Sequence, residues 1–128
     1  MDHSLNWKSL HTKQEFDEML ETSRNKPALI FKYEPSSPES TQVKETLEAD
    51  WAIAEDQMDL YLIDVIKDKE ASYEATEAAG VIDEHPQVLL FADGVTMYDE
   101  AHEMINFKKI KLALKIIYRT FKWMESRV

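Results

Sequence analysis

Apolar and polar residues alternate along the chain with two different periods, and the switches between them mark its elements. Phe16, Met19 and Leu20 recur at helical spacing behind Thr12 and Glu15, which stand at capping-box separation. This predicts a helix over 12–24. Ala28 to Tyr33, after Pro27, is a short apolar run of the kind that forms a strand buried on both faces. Glu34 to Ser40 reads as a loop opening a helix, on which Val43, Leu47, Trp51 and Ala54 share a face to about residue 55. Met58 to Ile66 is a second strand with almost continuous apolar character. Lys69 to Ala79 is a helix closed by Gly80, the residue best suited to a left-handed cap. Gln87 to Phe91 is a third strand. Ala92-Asp93-Gly94 turns the chain into a return strand from Val95 to Tyr98. Asn106 caps the last helix.

The order α, β, α, β, α, β, β, α predicts one α/β domain over residues 1–128. It has an N-terminal segment (1–11), a terminal helix (106–127), and a four-stranded mixed parallel and antiparallel sheet with helices on both faces. Right-handed crossovers place the start of the helix at 38–55 beyond the C-terminal end of the first strand. Open α/β sheets carry their chemistry there.

Charge changes the picture in one place. The chain totals −10, yet residues 106–128 carry seven basic side chains and one acid, a local +6 that leaves −16 to residues 1–105. Nucleic acid is therefore an unfavourable partner for the whole surface. A basic helix lying on an acidic body is the plainest account of the asymmetry; binding of anionic partners through the helix is the sharper one. No apolar run approaches the length of a membrane span, and the first residues lack a signal-peptide core, so a cytoplasmic protein is expected. Cysteine is absent. That excludes disulfides, thiolate metal sites and cysteine nucleophiles.

Three segments, taken together, resemble the monothiol bacilliredoxins, the YtxJ-type thioredoxin-like family linked to bacillithiol. Pro27 to Ser40 is similar to that family's strand and nucleophile loop, which ends in Cys-Pro-x-Ser. Ala71 to Gln87 places Ser72, Gly80, Val81, Glu84, Pro86 and Gln87 at the family's positions, and Asp93 to Ile105 matches its hairpin and trailing histidine, His102. The resemblance spans roughly residues 7–106 and implies a thioredoxin-like fold. It also implies removal of bacillithiol from mixed disulfides on client proteins, with bacillithiol as co-substrate and no resident cofactor. By the same resemblance Pro38, Ser40, His85, Pro86, Gln87 and His102 line the substrate groove, and the His85–Pro86 peptide is cis.

The departure lies at the nucleophile. Ser37 stands where the family has its reactive cysteine, Pro35 and Ser36 replace the preceding residues, and Tyr33 replaces a strand-end histidine. Thiol exchange needs a thiolate, and a serine hydroxyl neither ionises near neutrality nor forms an S–S bond. Ser-Pro-Glu is instead a good helix start: a capping hydroxyl, a proline at the first helical position and a carboxylate in the first turn. The residues leave open whether the serine is native or a replacement. His85 beside Pro86 raises a Ser–His pairing with Ser37, but no Gly-x-Ser-x-Gly elbow accompanies it. His3, His11, His85 and His102 form no close metal-ligand pair, so no metal is expected.

Two functions of different class follow: a bacilliredoxin-type oxidoreductase lacking its thiol, or a redox-silent module that holds a thiol adduct or extended client peptide in the same groove. On the last helix Leu112, Ile116 and Trp123 form a second apolar stripe, away from the main face of Phe107, Ile110, Leu114, Ile117, Phe121 and Met124. The expectation is that this stripe meets a second subunit or the N-terminal segment bearing Leu5, Trp7 and Leu10.

Overall fold

Strands and helices alternate along the chain in a computed structural model that describes residues 5–125. The strands are β1 (Lys8–Ser9), β2 (Ala28–Tyr33), β3 (Asp59–Asp64), β4 (Gln87–Ala92) and β5 (Val95–Ala101). The helices are α1 (Lys13–Thr22), α2 (Pro38–Asp50), α3 (Lys69–Ala79), α4 (Phe107–Thr120) and the short α5 (Lys122–Glu125). The sheet order is β1-β3-β2-β4-β5, with β1 and β2 parallel to β3, and β4 antiparallel to both β2 and β5. This is the thioredoxin-like architecture.

Alternation along β2 and β4 divides the core in two. Leu29, Phe31, Val88 and Leu90 pack with Leu47 of α2 and with Phe107, Ile110, Leu114 and Ile117 of α4. Ala28, Ile30, Leu89 and Phe91 pack on the other side with Phe16 and Met19 of α1 and Ala71 and Ala75 of α3. The central strands are covered twice, which is why their sequences read as unbroken apolar runs.

The sheet has five strands rather than the expected four, because two residues of the N-terminal segment join its edge. Lys8 pairs with Tyr61 and Ser9 with Leu62. Around this edge the segment crosses the sheet: Trp7 stacks at 6.0 Å on Phe31 and donates from Nε1 to Glu48 Oε2 at 2.7 Å, whereas Leu10 enters the opposite core layer. The segment therefore does not cover the second stripe of the last helix. Leu112, Ile116 and Trp123 are exposed. That helix is also shorter than expected: α4 ends at Thr120, and the ψ of 69° at Phe121 breaks the helix before α5 returns Met124 to the core. The rest of its span, 126–127, lies outside the described residues. Helix α2 stops at Asp50, because Trp51 is extended, and residues 52–54 lead to a short 3₁₀ turn at Glu55–Gln57.

Three sequence-predicted devices stand in place. Thr12 and Glu15 make both bonds of a capping box, Gly80 closes α3 at φ 67°, and Asp93 and Gly94 turn the hairpin at φ 54° and 76°.

Candidate functional site

The site is assembled from three loops at the end of the sheet where β2 finishes: the one after β2, the one before β4 and the one after β5. After β2 the chain turns through residues 34–37, with the Ser37 amide donating to the Glu34 carbonyl at 2.9 Å. Ser37 then caps α2: its Oγ accepts from the Ser40 amide at 3.3 Å, and its backbone oxygen accepts from the Thr41 amide at 3.1 Å. Pro38 occupies the first helical turn, where no amide donor is missed. Ser40 is fully buried, and its hydroxyl accepts from the Glu34 amide at 3.2 Å. It is a fastener under the loop rather than part of its surface.

Opposite lies the loop before β4. The His85–Pro86 peptide is cis, and the Pro86 carbonyl accepts from the His102 amide at 2.9 Å. His85 approaches Glu34, with Nε2 3.6 Å from Oε1, while its Nδ1 is buried without a partner among the described residues. His102 has a positive φ of 56°, uncommon for a residue with a side chain. That conformation sets its ring between two carboxylates from different elements: Nδ1 is 3.1 Å from Glu39 Oε2 in the first turn of α2, and Nε2 is 3.3 Å from Glu84 Oε1. The hydrogen bond to Glu39 is the main cause that raises the imidazole above its ordinary pKa; desolvation opposes it, and the charges of Glu39 and Glu84 tip the balance upward.

Gln87 does not reach this surface. Its side chain turns into the core, with Nε2 donating to the Ile82 carbonyl at 3.0 Å and Oε1 accepting from Lys32 Nζ at 2.8 Å. Lys32 is the residue that sequence reasoning missed. Its side chain is fully buried, and Nζ donates to Thr76 Oγ1 at 2.7 Å, Asp83 Oδ1 at 2.6 Å and Gln87 Oε1 at 2.8 Å. Three acceptors satisfy the three donors of an ammonium. Burial nevertheless wins and lowers the lysine pKa, with Asp83 opposing the shift. A charge inside the run Ala-Leu-Ile-Phe-Lys-Tyr was the available signal.

The structure thus joins Ser37, Pro38, Pro86, His85 and His102 through Glu34, Glu39 and Glu84, and places Ser40 and Gln87 beneath them. Neither histidine bonds the Ser37 hydroxyl among the described residues, so the nucleophile–base contact of a serine hydrolase is not made. No group of three or more His, Asp or Glu side chains is placed to hold a metal among the described residues. No described helix is long and apolar enough to cross a membrane. With no cysteine in the chain, the site offers no sulfur nucleophile.

Comparison with known proteins agrees with this geometry. The chain is similar over 82% of its length, and 90% of the other's, to a thioredoxin-fold protein taken to be an oxidoreductase, at 23% identity and a TM-score of 0.71. It is similar to Malassezia sympodialis thioredoxin at 14% identity and a TM-score of 0.68, covering 91% of this chain and 95% of that one. Fasciola hepatica thioredoxin gives 14% and 0.66 over 86% and 98%. These likenesses show the fold. No curated protein matches at a significant level. The family model described as Monothiol bacilliredoxin BrxC matches residues 8–110, from the edge strand to the first turn of α4, and the chain belongs to that family.

Proposed function

We propose that this chain keeps the client-docking half of bacilliredoxin function and lacks the thiol-exchange half. An extended client segment, carrying bacillithiol as a mixed disulfide, lies between the start of α2 and the loop of the cis His85–Pro86 peptide. Ser37 and Pro38 form one wall, His85 and Pro86 the other, and His102 sets the floor between them. In exchange, a thiolate attacks the bacillithiol sulfur, forms a new S–S bond and releases the client as its thiolate. No atom of this site can take that first role. The observation that carries the proposal is the Ser37 hydroxyl, occupied as the helix cap where the family has its cysteine.

Ser37→Cys tests it. A sulfur there lies at a helix N-terminus, whose free amides and dipole favour the anion, so its pKa falls below the ~8.5 of a free thiol. Glu34 and Glu39 limit the depression. Incubated with a bacillithiolated protein, the variant acquires one bacillithiol adduct by mass spectrometry, while the parent chain leaves the client modified. De-bacillithiolation by the parent chain overturns the proposal. So does a Ser37→Cys thiol that takes no adduct and titrates at the free value.

A further inference from the structure

Far from the Ser37 loop, a cavity of about 620 Å³ opens between α4 and residues 52–57. Its floor is apolar, made by Ile53, Leu114 and the ring of Tyr118, whose hydroxyl donates to the Gln57 carbonyl at 2.6 Å and fixes that wall. Its rim is cationic: Lys111, Lys115, Arg119 and Lys122 line it together. All four are exposed, and none has an ion-pair partner among the described residues. The neighbouring cavity behaves differently. There Lys8 and Lys26 both lie against Asp59, at 3.6 and 3.1 Å, so its cations already have a carboxylate partner. In a chain of net −10, four cations around one apolar floor with no ion-pair partner among the described residues stand out.

We propose that this cavity binds an extended acidic peptide segment of a partner protein. Spacing favours that occupant. Lys111, Lys115 and Arg119 follow one another at four-residue steps, which repeat about every 6 Å along a helix. An extended chain presents alternate side chains about every 6.6 Å on one face, so carboxylates at every second position come into register with the three cations. Lys122, past the break at Phe121, lines the same cavity, and the four cations together are too spread for a single carboxylate to satisfy. The side chains between the acids point the other way, toward the 52–57 wall that carries Ile53. Nucleic acid fits less well, because the −16 body surrounding the helix repels a long polyanion. The cavity follows the C-terminus of α2 whereas Ser37 precedes its N-terminus, and the 13-residue helix separates them by about 20 Å. One client can therefore engage both places. The proposal stands apart from the chemistry at Ser37, since no residue is shared.

Fluorescence anisotropy with a labelled peptide alternating glutamate and valine tests it on the full chain. The peptide is expected to bind, with affinity falling as salt is raised, and its glutamine–valine counterpart is expected not to. Lys111→Glu combined with Lys115→Glu is expected to weaken binding about tenfold, two attractions having become repulsions. Lys108→Glu, on the same helix but off the cavity, is expected to change it little. Both variants alter exposed positions, and their melting curves check that the fold is kept. Equal binding of the glutamine peptide, or equal loss in the Lys108 variant, overturns the proposal. Binding of anionic phospholipid vesicles in place of the peptide, lost in the double variant, overturns it in favour of a lipid partner.

Discussion

Two basic side chains hold the loop before β4, one from within and one from without, and burial gives them opposite characters. Lys32 reaches Asp83 and Gln87 from inside the sheet with no exposed side-chain surface, whereas His102 meets Glu84 from the solvent side, 38% exposed. The carboxylate partners favour the charged form in both cases. Around Lys32, lost hydration outweighs Asp83 and the pKa falls; around His102, the hydrogen bonds and charges of Glu39 and Glu84 outweigh desolvation and the pKa rises. Burial thus decides whether a carboxylate-paired base is held below or above its ordinary pKa.

Removing the inner cation has the largest expected effect. Lys32→Ala loses about 3 kcal/mol in denaturant unfolding, because it opens a cavity and strips the Gln87 carbonyl oxygen of its strongest donor. Lys32→Met restores most of the volume and separates packing from charge. Its expected loss is about 1 kcal/mol, since Asp83 is exposed and regains water. A Met variant as unstable as the Ala variant would show that the ammonium, not its stem, holds the loop.

The outer cation moves stability less and moves it with pH. A histidine raised in the folded state contributes stability that is complete below 6.5 and disappears as pH rises through the raised value. Lys32 has the contrary sign: lowered in the fold, it lets stability climb with pH from its folded value up to 10.5. For His102, NMR titration should give a pKa above 6.5 that drops in Glu39→Gln, with at most about 0.5 kcal/mol of stability at stake. An unchanged titration in that variant would break the contrast.

The smallest effect is expected on α4, where exposure again decides. Leu112→Lys and Ile116→Lys, at 59% and 50% exposure, should alter monomer stability by less than about 0.5 kcal/mol. Sedimentation of the same variants tests whether this stripe meets a second subunit: a dimer formed by the parent chain and lost in the variants supports that interface.

What could be read from the sequence follows from how many faces of each element are covered. β2, β3 and β4 stood out because their apolar runs leave few alternatives. β1 did not, since a two-residue strand has no period and is made by Trp7 and Leu10 gripping opposite faces of the sheet. At the site, the Ser37 cap and the helix start at Pro38 are local chemistry and were legible. Ser40 and Gln87 were expected at the groove because the family resemblance gives position along the chain, not direction. Gln87 turns inward because the β2–β4 register sets it opposite Lys32, a pairing between residues 55 apart that no local pattern encodes.

The edge strand also bears on how the molecule behaves in a crowd of its own copies. An unpaired strand edge is a template on which another chain can add, and long flat apolar edges seed fibrils. Here one border of the sheet is a two-residue strand carrying the exposed Lys8. The other, β5, carries Asp99 and Glu100 and slips register between Leu90 and Phe91 of its neighbour. Both borders are short, charged or irregular, so a concentrated solution of this acidic protein offers its sheets no place to grow.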